Sequence, residues 1–143
     1  MKSFAENRKL GFWLTLGAAC AALLGAIAYL IAYASTADPV TGEWDRVFKW
    51  AVFCLMLGGA LVSLGGEVLR LRIVPILSAV AYGLALAMHA VETAYPLADV
   101  LTKVPFFGGN PTLAIVFVVL FAIAAVVHVA AAFMEHNIEP KID

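Results

Sequence analysis

Charge is what this sequence has least of. Of its 143 residues only 13% are Asp, Glu, Lys or Arg, about half the share an ordinary soluble domain carries. With 64% hydrophobic residues and a mean hydropathy of +0.97, the chain lacks the polar surface of a soluble globule and reads as an integral membrane protein. Nine basic residues stand against ten acidic ones. No basic stripe is available to hold a phosphate backbone, so nucleic acid is set aside as a partner. Cysteine is nearly absent too: Cys20 and Cys54 lie inside apolar runs and form no C-x-x-C pair. That argues against the four-helix membrane thiol oxidoreductases, whose chemistry needs paired reactive thiols, and both cysteines are expected as small apolar core residues. The sequence also lacks a glycine-rich phosphate loop, a Ser/His/Asp constellation with nucleophile context, and paired catalytic carboxylates. An enzymatic reading therefore has few residues to rest on.

What is present is long apolar runs. Crossing a hydrocarbon core of about 30 Å takes about 20 residues of helix, and four runs meet that length: 10–33, 47–66, 73–91 and 112–134. None alternates as barrel strands do, and a helix satisfies its own backbone in lipid. The expected fold is an all-α, four-transmembrane-helix bundle in a single membrane domain, residues 1–143. Lys2, Arg8 and Lys9 precede the first run, and the small residues Ala32 and Ala34 near its end imitate a signal-peptide cleavage site. The run is nevertheless much longer than the roughly 7–15 residues of a signal core, so it reads as the first membrane helix. Outside the runs or in a run's first turn, Lys2, Arg8, Lys9, Arg70, Arg72 and Lys141 fall on one side and Arg46, Lys49 and Lys103 on the other, six against three. The positive-inside rule then places both termini in the cytoplasm of a multi-pass protein.

Small residues mark where helices can approach closely in lipid. Gly17, Ala21 and Gly25 on the first run, Gly59 and Ser63 on the second, and Ala79, Gly83 and Ala87 on the third are the candidate helix-packing positions. The fourth run is bulky in its outer half, through Val116, Val118, Val119, Leu120, Phe121 and Ile123. The short link at 67–72 makes the second and third helices antiparallel neighbours.

The segment 94–110 is long for a loop in so small a protein, yet Leu97, Val100, Leu101 and Val104 follow helical spacing. An interfacial helix over 96–103 is expected in this second outer loop, with Tyr95, Phe106 and Phe107 at headgroup depth and a lid over a cavity as its sharper reading. Ionisable groups near the spans are few. Lys49 is expected to snorkel outward with Asp45 as its partner, and His89, Glu92 and Asp99 form the candidate polar cluster. His89 and His128 raise the question of a bis-histidine haem. Counting about 1.5 Å per residue puts them roughly 15 Å apart in depth, whereas axial ligands must be nearly level, so haem is disfavoured. His89, Glu92 and Asp99 lack a diagnostic ligand spacing, so a metal is disfavoured as well. No cofactor is expected.

Residues also separate the chain from familiar four-helix families. The first run holds no acidic residue of the kind small multidrug exporters carry there. The helices lack the dense Arg, Glu and Asn of membrane glutathione-using enzymes, and Trp44 has no cysteine beside it as in claudin-like tetraspans. Over most of its length the chain resembles small four-helix membrane proteins of uncharacterised function in Gram-positive bacteria. The resemblance centres on Pro75-Ile-Leu-Ser-Ala-Val-Ala-Tyr-Gly-Leu-Ala85, Leu97-Ala-Asp-Val-Leu-Thr102 and Gly108-Gly109. It implies a bacterial cytoplasmic-membrane location and a role beside a membrane-tethered glycosidase-like protein. The expected function is a non-catalytic assembly or accessory subunit, in contact with lipid and with itself or a larger membrane partner. The alternative is a homo-oligomeric channel or small-solute transporter, with a quinone- or lipid-binding enzyme subunit as a minor third reading.

Overall fold

The computed structural model describes residues 9–36, 45–69, 71, 73–104 and 107–134. These form four helices and no strand: α1 (Leu10–Ala34), α2 (Trp50–Val68), α3 (Val74–Thr102) and α4 (Pro111–Ala132). All four are long and apolar enough to cross a membrane. Each helix packs against its neighbours in the chain, and α4 returns to α1 to close the ring. Cross-contacts such as Ser63 with Ser78 and His89 with Ala114 run antiparallel, giving an up-down-up-down bundle. Its two ends are called here the turn end, where α2 passes into α3, and the loop end, where α1 meets α2 and α3 meets α4.

Local chemistry sets the helix limits. Asn110 caps α4 by accepting a hydrogen bond from the Leu113 N–H at 3.0 Å, and Pro111 follows in the first turn, where its missing N–H costs nothing. At the entry to α2, Asp45 accepts from the Val47 N–H through Oδ1 at 2.9 Å, and its carbonyl accepts from Phe48 N. This side-chain turn delays the helix to Trp50, three residues later than the apolar run begins. Val47 and Phe48 are still buried, as a non-helical plug against α1.

The largest departure from expectation is α3. The run 96–103 is not a separate interfacial helix: residues 96–102 are the last turns of α3, which has 29 residues and a length of about 43 Å. Hydropathy ends the span near Val91, but the helical period does not stop there. Tyr82, Ala85, His89, Thr93 and Pro96 stay on one buried face. Pro96 leaves the Glu92 carbonyl without its helical donor. The Thr93 hydroxyl donates to the His89 carbonyl at 2.9 Å in the same turn. The helix ends at Lys103 in the left-handed region, with φ 56°.

The interior has two layers. Toward the loop end it is aromatic: Tyr29 lies 5.2 Å from Phe48, 5.1 Å from Phe117 and 5.6 Å from Phe121 between ring centroids. Toward the turn end the side chains become small and polar, with Thr15, Ser63, Ser78 and His128 all fully buried. Cys20 and Cys54 are exposed on the outer surface of the bundle rather than in its core.

Candidate functional site

The polar layer is built from one position on each of three helices. Ser63 on α2 donates to Ser78 on α3 at 2.6 Å, and Ser78 donates to the Gly59 carbonyl at 3.2 Å. Ser63 also lies 3.2 Å from His128 Nε2 on α4, and His128 Nδ1 lies 2.9 Å from the Ala124 carbonyl one turn earlier. The Tyr82 ring packs on the imidazole with centroids 4.5 Å apart. Gly59 makes room for it, since a Cβ there would stand 2.8 Å from Tyr82 Cε1. Glu67 continues the same face of α2 one turn nearer the turn end and is 3% exposed. Side-chain hydrogen bonds between helices are the lasting polar glue of membrane bundles, worth about 0.6 kcal/mol each on average.

A second buried histidine sits in the aromatic layer. His89 Nε2 lies 3.1 Å from the Ala114 carbonyl, which can only accept, so Nε2 carries the hydrogen. Its Nδ1 and the Tyr33 hydroxyl are buried without a hydrogen-bond partner among the described residues. The Tyr29 hydroxyl donates to the Val47 carbonyl at 3.4 Å and accepts from the Lys49 N–H at 3.1 Å, which ties α1 to the entry of α2.

The expected cluster of His89, Glu92 and Asp99 is not assembled as one site. His89 faces the core. Glu92 instead pairs with Lys49 Nζ at 3.4 Å, so the partner of Lys49 is Glu92 and not Asp45. Asp45 is occupied by the Val47 N–H and, through Oδ2, by the Asn110 N–H at 3.3 Å. Asp99 accepts from the backbone N–H of Phe107 at 2.8 Å and of Gly108 at 2.7 Å. The Arg46 guanidinium lies 4.9 Å above the Tyr95 ring and 5.5 Å from Phe107. These contacts pin the described part of the second loop to the start of α2. Phe106 lies outside the described residues. No group of three His, Cys, Asp or Glu side chains able to hold a metal ion occurs among the described residues.

The packing positions divide. Gly59 and Ser63 are buried in the α2/α3 seam. Ala79 and Gly83 are half-buried and Ala87 is exposed, because the inward face of α3 runs through Ser78, Tyr82 and Ala85. Gly17, Ala21 and Gly25 do not pack inside the bundle. The inward face of α1 is Phe12, Thr15, Ala19, Ala22, Ala26, Tyr29 and Tyr33. The glycine stripe instead lines an apolar groove of about 360 Å³ between α1 and α4, with Leu120, Ile123 and Val127 opposite. A Cβ on Gly17 or Gly25 would meet nothing within 4 Å.

Thr15, Tyr29, Tyr33 and Tyr82 were outside the expected site. A signal for Tyr82 was present, since Ser78, Tyr82, His89 and Thr93 form a polar stripe at helical spacing through an apolar run. Comparison with protein-family models, with curated proteins and with solved structures found no match to this chain.

Proposed function

We propose that the chain is a non-catalytic four-helix subunit of the bacterial cytoplasmic membrane, with both termini cytoplasmic, that docks a transmembrane helix of a larger membrane partner against α1 and α4. The carrying observation is the groove. Its α1 wall, from Trp13 to Gly25, runs about 18 Å along the helix axis, more than half the thickness of the hydrocarbon core. Small residues on an exposed helix face let a second backbone come close, which is how helices associate where no hydrophobic force separates helix from lipid. An elongated, almost wholly apolar channel of this kind suits a helix better than a compact solute. The partner class that the sequence resemblance implies is a membrane-tethered glycosidase-like protein.

The homo-oligomeric channel ranks lower because a conducting path needs polar groups along its wall. The buried polar groups here face the interior of a single bundle, while the outward faces carry Leu24, Ile27, Leu61, Val80 and Ile123. The test is native mass spectrometry of the complex extracted gently from its own membrane. A co-purifying membrane protein that is retained by the wild type and lost on Gly17→Leu or Gly25→Leu supports the reading. A chain that flies alone, or with only a lipid, overturns it, and a closed homo-oligomer with no second protein moves the weight to the channel.

A further inference from the structure

The four contacts through Ser63, Ser78 and His128 can be counted in hydrogens. They run in a line from one carbonyl to another: Gly59 O, Ser78, Ser63, His128 and Ala124 O, at 3.2, 2.6, 3.2 and 2.9 Å. Both ends only accept. Every link needs one hydrogen, each serine supplies one, and a neutral imidazole supplies one. A neutral His128 therefore leaves one of the four links with lone pair against lone pair, and an imidazolium supplies the missing hydrogen.

We propose that this network is a proton-binding site in the bundle interior, independent of the docking groove, with His128 as the group that takes up the proton. In the neutral state Nδ1–H donates to Ala124 O, Ser63 donates to Nε2, Ser78 donates to Ser63, and the Gly59 carbonyl loses its side-chain donor. When a proton adds to Nε2, Nε2–H donates to Ser63, Ser63 to Ser78 and Ser78 to Gly59 O. Both hydroxyls rotate and the chain of bonds reverses direction. No bond between heavy atoms is made or broken, and the proton comes from water.

The surroundings fit a charge that appears and disappears. From α3, the Tyr82 ring lies within cation–π range of the imidazole, and the Tyr82 hydroxyl, buried without a hydrogen-bond partner among the described residues, is the titratable group on that side. From α2, Glu67 is buried on the Ser63 face between the network and the turn end, the side from which we take the proton to enter. From α1, the buried residues below Tyr29 are Gly11, Phe12, Thr15, Ala19, Ala22 and Ala26, none of which is ionisable. On α4 itself the buried neighbours of His128 are Ala124 and Ala131. A histidine so placed has no bulk water to complete its hydrogen bonds, so proton uptake and the direction of the serine bonds are one event.

Nitrogen NMR of the full-length chain, histidine-labelled and held in lipid bilayers, reads the site directly. The His128 signal is assigned by its loss in His128→Gln, and the titration runs between about pH 4 and pH 9, the range in which histidine ordinarily changes charge. The expected result is a neutral ring with hydrogen on Nδ1 in alkali, converting in acid to a ring protonated on both nitrogens. In Ser63→Ala, which removes the acceptor for Nε2–H, the doubly protonated fraction at a given acidic pH falls about tenfold, and in Ser78→Ala it falls less. A His128 that stays neutral across the range in the folded wild type overturns the proposal. So does a titration that neither serine variant alters.

Discussion

Gly59 and Gly66 on α2 and Gly17 and Gly25 on α1 are the same residue in the same kind of apolar helix, yet the bundle treats them in opposite ways. The α2/α3 seam closes over its glycines: the Tyr82 ring lies against Gly59, and the Val74 side chain fills the space beside Gly66. The α1/α4 seam leaves its glycines on the wall of an open groove. The difference lies in what accompanies the glycines. Beside Gly59 stands Ser63, whose hydroxyl has Ser78 and His128 to bond. The run from Gly17 to Gly25 holds no side chain that hydrogen-bonds across to α4. Small residues permit close approach, and a polar anchor decides which helix makes it.

The largest effect expected from breaking this comparison is at Gly66. A leucine there meets the Val74 side chain at the point where the short link brings α2 and α3 together. Gly66→Leu is expected to cost at least about 1–3 kcal/mol, the range for overfilling a packed core, read as a loss of folded protein in denaturant titrations in lipid or detergent. Gly59→Ala comes next. Its Cβ would stand 2.8 Å from Tyr82 Cε1, and the ring must move away from His128, so a cost of about 1 kcal/mol is expected, at the low end of the same range.

Smaller still is the effect of the hydrogen bond inside the α2/α3 seam. Ser63→Ala and Ser78→Ala are each expected to cost about 0.6 kcal/mol and at most about 1.7, the measured span for interhelical bonds in membranes. Because both hydroxyls belong to one chain of bonds, the double variant should cost less than the sum of the two single ones. Additive costs would show that the 2.6 Å contact carries no coupling. The Lys49–Glu92 pair is partly exposed, so Lys49→Met is expected to cost less than about 1 kcal/mol, with the effect shrinking as salt is added.

Much of this architecture was legible because hydropathy and helix length are the same constraint in a bilayer. All four helices and the short antiparallel link follow from runs and breaks in the sequence. The end of α3 was not legible in the same way. Glu92, Pro96 and Asp99 read as the start of a loop by composition, while Thr93 and Pro96 stay on the buried helical face and Asp99 accepts from the Phe107 and Gly108 N–H groups of the loop that follows. Lys49 found Glu92 because α2 and α3 are neighbours at that level, a relation that sequence separation hides. The inward register of α1 was missed for a similar reason. Its glycine stripe and its Ala19, Ala22, Ala26 stripe are equally small, and only the tyrosines further along, Tyr29 and Tyr33, show which one turns toward the aromatic layer. The polar stripe on α3 was readable, but its meeting with His128 required knowing that α3 and α4 pair.

The smallest expected effect sharpens the comparison most. Gly17→Ala and Gly25→Ala add a methyl group where nothing stands within 4 Å, so the isolated bundle should lose no stability and gain at most about 0.5–1 kcal/mol per site from the stiffer backbone. The same two substitutions narrow the open apolar groove between α1 and α4. If that groove holds a partner helix, the methyl groups enter a contact made of backbone against backbone, and a complex in native membrane should weaken measurably while the denaturant midpoint of the chain alone does not fall. Gly59→Ala should show the opposite pattern, with stability lost and any partner retained by the fraction that folds. A result in which both pairs of glycines move stability together would mean that the α1/α4 seam closes in lipid as the α2/α3 seam does, and the groove would cease to be a surface.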